Sequence, residues 1–384
     1  MGVDRMNVHW GKAPLSELTE AERSITYGVV KPGDEVDGGV AFIRGGDVSQ
    51  GRIAIDALRT ISPQLSQTYK RTLLRGGELL ISLVGNPGEV AIAPASLEGA
   101  NIARQVGLVA LRPEVDAFFV MYFLMSPFGR AELFTRTGGA VQQVINLADL
   151  KTIQIPMPSS VVQKRIADIL STYDDLIENN RRRMALLEES ARLLYREWFV
   201  CLRFPGYEHT PIVDGVPQGW ERTTLGDTIT LNYGKALKAE IRVEGDCPVY
   251  GSSGIVGTHE KPLVQGPAII LGRKGNVGSV YWSSKSFYPI DTVYFVTPES
   301  SSLYLFYALK NMHFISTDVA VPGLNRDFAY SRPLLHPPTT LLRSFHETVE
   351  PIHAQLDKLE EANQKLRAAR DLLLPRLMSG ELAV

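Results

Sequence analysis

The sequence predicts a mixed α/β (α+β) protein in which two globular units and two long helices form an internal repeat. Three observations support this prediction. Matching motifs recur in the two halves of the 384-residue chain, each half contains short β-rich runs with one helical stretch, and each half ends in a long heptad pattern. A chain of this length is expected to form two or three domains. The predicted order is globular unit, helix, globular unit, helix.

The repeat is visible in three pairs of motifs. The offset between matching residues falls from about 210 to about 180 residues, as insertions and deletions inside the globular parts would cause. In chain order, the pairs are Trp10-x4-Leu15 with Trp220-x4-Leu225, Gly77 to Val90 around Gly85-Asn86-Pro-Gly88 with Gly266 to Val280 around Gly275-Asn276-Val-Gly278, and Ile145-Asn146 with Leu324-Asn325. A proline pair follows the last motif in each half, and a helical pattern follows the prolines.

The expected globular units are residues 1–158 and 205–338, and the expected helical regions are residues 159–204 and 339–384. Glycine and proline separate the short elements of each unit, so we expect partly curled, mixed sheets. The predicted helices inside the units are Ala117–Met125 and Ser302–Lys310, and the predicted β-rich runs are Val40–Ile43, Leu79–Val84, Gln105–Leu111, Ala268–Leu271, Val277–Trp282 and Thr292–Val296.

Each long helical region carries an apolar seam with alternating steps of three and four, which is the heptad pattern of a coiled coil. One chain can bury two such seams by pairing them, and a duplicated chain with a pseudo-two-fold axis would pair them antiparallel. The seams are Val162, Ile166, Ile169, Tyr173, Leu176, Asn180, Met184, Leu187, Ala191, Leu194 and Trp198, and Leu342, Phe345, Val349, Ile352, Leu356, Leu359, Asn363, Leu366, Arg370 and Leu373.

Two features of the seams leave alternatives open. Asn180 and Asn363 lie near the middle of the seams, where a buried asparagine would fix register, although both could be exposed. Pro351 lies inside the second region and removes a helical donor, so we expect a kink or a fresh helix start there. Each helix spans about 40 residues, or roughly 60 Å.

Composition excludes several classes of protein. Cys201 and Cys247 are too few for a disulfide framework, and no Cys/His cluster has the spacing of a zinc site. The N-terminal segment lacks the apolar core of a signal peptide, and the longest apolar run, Phe118–Met125, is too short to cross a bilayer. We therefore expect a cytoplasmic protein. The net charge of −2 argues against a nonspecific DNA coat.

Further motifs resemble the specificity subunit of type I restriction-modification systems over nearly the whole chain. Each motif is weak alone, but their order and duplication are specific. The matching segments are Phe42-Ile-Arg-Gly-Gly-Asp47, Gly77-Glu-Leu-Leu-Ile81, Gly138-Gly139 with Gln143 and Asn146, Ile155-Pro-Met-Pro158 before Gln163-Lys-Arg-Ile166, Glu178-Asn-Asn180 with Arg181–Arg183, Val249 to Gly257, Gly272 to Gly278 and Leu374 to Leu382. The chain departs from the pattern at Pro351 and at Ser344-Phe345.

The resemblance implies a fold and a function. It implies two target recognition domains, each reading one half of an asymmetric bipartite site in double-stranded DNA, and helices that set the half-site spacing. The implied partners are two methyltransferase (modification) subunits, together with restriction/translocase subunits in the full complex. No catalytic constellation, methyl-donor loop or cofactor motif is evident in the sequence. We therefore expect a subunit without catalysis, cofactor or metal, and methyltransferase chemistry on a partner. Competing hypotheses are a nuclease or methylase fusion, and a coiled-coil adaptor or inhibitor.

Side chains that read base edges or hold phosphates are mainly Arg, Lys, Asn, Gln and Ser. For each residue the alternative is an ordinary solvated surface position. Gly272–Ser279 resembles a phosphate loop, but a strand-like run follows it instead of a helix, so we predict a structural turn. The predicted DNA-contacting residues are Arg44, Gln50, Arg52, Lys70, Arg71, Gln142 and Gln143 in the first unit, and Lys235, Lys238, Ser252, Ser253, Arg273, Lys274, Asn276 and Arg326 in the second.

Overall fold

The computed structural model describes residues 10–135, 144–315 and 323–384. The chain forms two compact units. The first unit combines Met1–Asn179 with Asn363–Val384, and the second is the continuous stretch Asn180–Ala362. Among the helices in these described ranges, none is long and apolar enough to span a bilayer.

The first unit contains eleven described strands and four short helices, and a long helix begins in it. The strands are β1 (Gly11–Pro14), β2 (Thr26–Tyr27), β3 (Val40–Ile43), β4 (Val48–Ser49), β5 (Arg52–Ile53), β6 (Arg59–Ile61), β7 (Leu79–Ser82), β8 (Val90–Ile92), β9 (Asn101–Ile102), β10 (Val106–Val109) and β11 (Gln154–Met157). The helices are α1 (Pro63–Thr68), α2 (Ala117–Met125), α3 (Pro127–Phe134), α4 (Leu147–Lys151) and the long α5 (Ser160–Tyr195).

The second unit repeats most of this order, although its described residues lack counterparts of β4, β5, α1 and α3. Its described strands are β12 (Ile212–Val213), β13 (Val216–Pro217), β14 (Glu221–Thr224), β15 (Asn232–Tyr233), β16 (Cys247–Gly251), β17 (Gly254–His259), β18 (Ala268–Gly272), β19 (Val280–Ser283), β20 (Tyr288–Pro289), β21 (Val293–Phe295) and β22 (Pro333–His336). Its helices are α6 (Leu225–Thr228), α7 (Leu303–Asn311), α8 (Arg326–Tyr330) and the long α9 (Thr339–Met378), which ends in the first unit.

The sheets of the two units share one topology, which confirms the predicted internal repeat. Each unit has a four-stranded antiparallel sheet, ordered β2-β10-β7-β8 in the first and β15-β21-β18-β19 in the second. Each also has a three-stranded sheet with one parallel pair, β6-β3-β9 and β17-β16-β20. A two-stranded pair, β1-β11 or β14-β22, precedes the long helix that follows each unit's globular part.

Both faces of the four-stranded sheets are buried, which is why their strands are continuous apolar runs in the sequence. In β7, Leu79 and Ile81 join the core that contains α2, whereas Leu80 joins a second core on the opposite face. The predicted helix Ala117–Met125 is observed with those bounds. Asp116 caps its N-terminus, because the carboxylate of Asp116 accepts a hydrogen bond from the N–H of Phe119 at 2.9 Å.

Within each unit the two long helices pack antiparallel, as predicted. In the first unit, Asp174 of α5 forms an ion pair with Arg370 of α9 at 2.5 Å, while the earlier Leu170 shares a core with the later Leu374. In the second unit, the rings of Phe199, just beyond α5, and Phe345, near the start of α9, have centroids 4.9 Å apart. Later residues of α5 therefore meet earlier residues of α9.

The predicted seam positions are all buried or half-buried in α9, whereas one of the positions predicted for α5 is exposed. Phe345, Val349 and Asn363 are fully buried in α9. In α5, Leu176 is 46% exposed, and its neighbour Ile177 is buried in its place. This stretch of α5 packs against a globular core as well as against a second helix. The buried face of α5 is therefore wider here than a coiled-coil seam.

The fresh helix start expected at Pro351 is wrong, because α9 runs through this residue as one helix. Pro351 lies on the exposed side of α9, and so does Glu347, whose carbonyl loses its helical donor. Water can hydrogen-bond this carbonyl, which makes a proline tolerable here.

Candidate nucleic-acid interface

Three of the predicted contact residues line one open cavity in the second unit together with an exposed tyrosine. The guanidinium carbons of Arg273 and Arg326 each lie 4.9 Å from the ring centroid of Tyr233. Lys274 lines the same open cavity, whose volume is about 320 Å³. Cations at this distance from an aromatic ring are attracted by its π electrons. We refer to Tyr233, Arg273, Lys274 and Arg326 as the Tyr233 cluster.

The turn after β18 positions two members of the Tyr233 cluster. The backbone N–H groups of Arg273 and Lys274 donate to the carbonyl of Thr292 at 2.9 and 3.0 Å. The Arg273 side chain donates from Nη1 to the carbonyl of Asp291 at 3.1 Å. Backbone and side chain are thus both fixed against the segment that leads into β21.

The start of α8 positions Arg326. The side-chain oxygen of Asn325 accepts hydrogen bonds from the N–H groups of Asp327 and Phe328 at 2.8 and 3.1 Å, which caps the helix. Arg326 is the first residue of this helix, and its Nη1 donates to the carbonyl of Leu231 at 3.3 Å.

The edge strand β15 presents Tyr233 to solvent, and its side chain is 47% exposed. Its ring lies 5.1 Å from that of Tyr294 on the neighbouring strand, and burial raises the pKa of Tyr294 to about 12. The next residue, Gly234, approaches the carbonyl of Ile290 so closely that a Cβ atom would lie 2.0 Å from the oxygen. Glycine is required for this approach.

The Tyr233 cluster carries an excess of positive charge. Its three cations share the cavity with one carboxylate, that of Asp327. Among the described residues, no ion pair involving Arg273, Lys274 or Arg326 is observed. The site is therefore suited to an anion.

The other predicted contact residues of the second unit do not belong to the Tyr233 cluster, and most of them are exposed. Lys235, Lys238, Ser253 and Asn276 are exposed. Ser252 is half-buried, and its carbonyl accepts a hydrogen bond from Ser279 Oγ at 2.6 Å. The predicted structural turn is confirmed, because β19 and not a helix follows Gly272–Ser279.

Two predicted arginines of the first unit are held in ion pairs. Arg44 forms two hydrogen bonds with the carboxylate of Asp47, at 2.8 and 3.0 Å, and these raise its pKa. Arg52 forms an ion pair with Glu178 of α5 and donates to the carbonyl of Asp174 at 3.0 Å. Both arginines therefore contribute to the packing of the unit.

The remaining predicted residues of the first unit differ in placement. Gln50 is exposed with a positive φ of 50°, and its N–H donates to Glu89 at 2.6 Å. Lys70 and Arg71 are exposed on a single 3₁₀ turn. Gln142 and Gln143 lie outside the described residues.

A comparison with known protein families identifies the family of this chain. A family model described as type I restriction modification DNA specificity domain matches residues 7–189 and 217–328. The chain belongs to this family. The two specificity domains matched by the family model fall in the two halves of the observed repeat.

Individual relatives agree with this assignment. The chain is 31% identical over 175 residues to the type I restriction enzyme EcoBI specificity subunit of Escherichia coli, an alignment that covers 44% of this chain and 36% of that protein. It is 25% identical over 367 residues to the type I restriction enzyme MjaIX specificity subunit of Methanocaldococcus jannaschii, covering 85% of this chain and 82% of that protein.

The fold of the specificity domains also occurs in a solved structure. The crystal structure of a type I restriction-modification system S subunit from M. genitalium matches 98% of this chain and 98% of its own length, with a TM-score of 0.58 and 20% identity. This likeness supports the fold.

The two specificity domains can be aligned through their strand registers. Ile81 pairs with Val90 as Leu271 pairs with Val280, and the hydrogen bonds that close the following turns also correspond. The turns lead to equivalent bridges, Val84 with Val144 and Lys274 with Gly323. The resulting equivalences are Tyr27 with Tyr233, Leu83 with Arg273, Val84 with Lys274, Gly107 with Tyr294 and Leu147 with Arg326.

Tyr233 was not among the predicted contacts, because contacts to bases and phosphates were expected mainly from basic and amide side chains. The signal was present as a repeated dipeptide, Tyr27-Gly28 and Tyr233-Gly234, at the same place in both specificity domains. Tyr27 is 40% exposed, so both domains present a tyrosine at this edge.

Proposed function

We propose that this chain is the DNA-recognition subunit of a type I restriction-modification complex, and that each specificity domain contacts one half of an asymmetric, bipartite site in double-stranded DNA. One observation carries the proposal. The two domains share a backbone frame but carry different side chains at equivalent positions, such as the exposed Arg104 and Asp291. Unlike side chains on one frame would select unlike half-sites.

The Tyr233 cluster is the leading candidate for contact with DNA. The predicted residues Arg44 and Arg52 remain candidates, although their ion pairs would have to rearrange on DNA. We propose that the first recognition domain ends at residue 158, the first helical region at residue 204 and the second recognition domain at residue 338.

Methyl transfer and cleavage would belong to partner proteins, namely two methyltransferase subunits and the restriction/translocase subunits. The sequence contains no evident nucleophile–base framework and no methyl-donor loop. In the proposed role, the chain needs no cofactor. Such a complex would act on DNA in the cytoplasm.

Methylome sequencing of the source strain tests this function. A bipartite methylated motif should vanish when the gene is deleted and return when it is restored. Exchanging residues 205–338 for the matching segment of a relative should change one half of the motif and leave the other intact. A motif that persists without the gene, or an exchange that alters both halves, would contradict the proposal.

The long helices are proposed to set the number of unread base pairs between the half-sites. Both α5 and α9 are divided between the two units, so each unit contains part of each helix. Inserting seven residues into each helix keeps the apolar face aligned, and should widen the gap in the methylated motif by a few base pairs. A matched insertion of seven residues in the exposed turn before β13 should leave the gap unchanged. An unaltered gap after the helix insertions would refute the spacer role.

A further inference from the structure

The Tyr233 cluster differs most from its counterpart in the first specificity domain. Arg273 and Arg326 stand where the first domain has Leu83, which is buried, and Leu147, which is half-buried. Lys274 stands where the first domain has Val84. The shared frame therefore places three cations in one domain at positions that are apolar in the other.

The cations of the Tyr233 cluster line one open cavity. Both guanidinium groups contact the same tyrosine ring, and each donates to a backbone carbonyl through Nη1. Bringing like charges together costs Coulomb energy, which an anion between them would offset. A guanidinium has five N–H donors, so each retains donors beyond the single carbonyl contact observed within the described chain.

We propose that the Tyr233 cluster binds one backbone phosphate of the DNA beside the half-site that the second domain reads. This inference rests on the proposed function. Phosphate oxygens accept paired hydrogen bonds from guanidinium groups, and both groups contact the Tyr233 ring beside the cavity. The second domain therefore holds DNA partly through charge, at positions where the first domain carries Leu83, Val84 and Leu147.

The number of converging cations favours a phosphate over a base. A guanine edge is read by one arginine that lies in the plane of the base. Here two arginines and a lysine face one cavity, and a ligand with several anionic oxygens satisfies them together. A phosphate contact adds affinity and salt dependence without adding sequence information.

The test is DNA binding as a function of salt by the full chain assembled with its methyltransferase subunits. The variants are Arg273→Gln, Arg326→Gln and Lys274→Gln, and the matched control is Lys261→Gln, whose side chain is 80% exposed. The probes are a duplex with the methylated motif and one with the second half-site scrambled, from about 50 to about 200 mM NaCl.

Each arginine variant should weaken binding by about tenfold at low salt, equally on both duplexes, and reduce the slope of log K against log salt by about one. Lys274→Gln should act in the same direction, and it removes no hydrogen bond that holds the fold. Arg273→Lys should keep most of the salt slope, and Lys261→Gln should behave as the unchanged protein.

The possible failures are distinct. Loss confined to the intact motif, with an unchanged salt slope, would show base reading and overturn the phosphate assignment while leaving the proposed function in place. Variants that bind as the unchanged protein does would also overturn it. If the unchanged assembly fails to distinguish the motif from scrambled DNA, the proposed function itself is wrong.

Discussion

Replacing Asp174 by alanine is expected to destabilise the first unit by about 3 kcal/mol. The Asp174 carboxylate lies 2.5 Å from Arg370 and accepts a hydrogen bond from the Tyr122 hydroxyl at 2.6 Å. The side chains of Asp174 and Arg370 are only 18% and 15% exposed. Burial and the neighbouring carboxylate raise the pKa of Tyr122, so this hydroxyl remains a proton donor.

The magnitude follows from what the substitution leaves behind. Removing one partner of a buried ion pair costs about 3 to 5 kcal/mol, because the other charge stays without compensation. Arg370 also contacts the more exposed Asp371 at 2.8 Å, which places the expected loss at the lower end. The hydroxyl of Tyr122 loses its acceptor, which contributes about 1 kcal/mol of that loss.

Urea unfolding monitored by far-UV circular dichroism measures the loss, with separate transitions fitted for the two units. The matched control is Asp168→Ala on the same helix, whose carboxylate is 62% exposed and lies 3.4 Å from Lys164. That control should lose less than about 0.5 kcal/mol. Asp174→Leu combined with Arg370→Met should return within about 1 kcal/mol of the unchanged protein. Equal stabilities for Asp174→Ala and Asp168→Ala would refute this reasoning.

Two further predictions concern the second unit. Burial lowers the pKa of His353 to about 4 in the folded protein, below its value in the unfolded chain. As the pH falls from 7 to 5, the unfolded chain therefore takes up a proton on His353 while the folded protein does not. The free energy of unfolding should fall by at most about 2 kcal/mol over this range. His353→Phe should abolish that part of the pH dependence in urea titrations, and an unchanged dependence would argue against a buried neutral imidazole. Gly234→Ala should cost at least about 2 kcal/mol, because its Cβ would meet the Ile290 carbonyl at 2.0 Å. Gly46→Ala, which meets nothing within 4 Å, is the control, and equal melting temperatures for the two variants would contradict the steric argument.

Matching motifs and periodicity in the sequence were sufficient to predict the repeat, six of the strands and the antiparallel helices. The helix Ala117–Met125 was predicted with its observed bounds, because an apolar run and the capping residue Asp116 coincide there. The choice between Leu176 and Ile177 in α5 was not predictable. Adjacent residues fit a heptad almost equally well, and the globular core decides which of them is buried.

Long-range partners explain why the candidate site was only partly predicted. The sequence identified Arg273, Lys274 and Arg326 separately, but their convergence depends on strands that are distant in the chain. Arg52 was predicted from its residue type alone, and nothing local to it indicates the ion pair with Glu178. Tyr233 could have been found from the repeated Tyr-Gly dipeptide.

The division of the first unit between two stretches of chain has a consequence for synthesis. The ribosome completes the second unit, Asn180–Ala362, before it makes the stretch that carries Arg370 and Leu374. Until then Asp174 has no guanidinium partner, and the apolar face around Leu170 lacks part of its cover. The nascent first unit therefore stays open longest, which makes it the part of the newly made protein most exposed to chaperones and proteases.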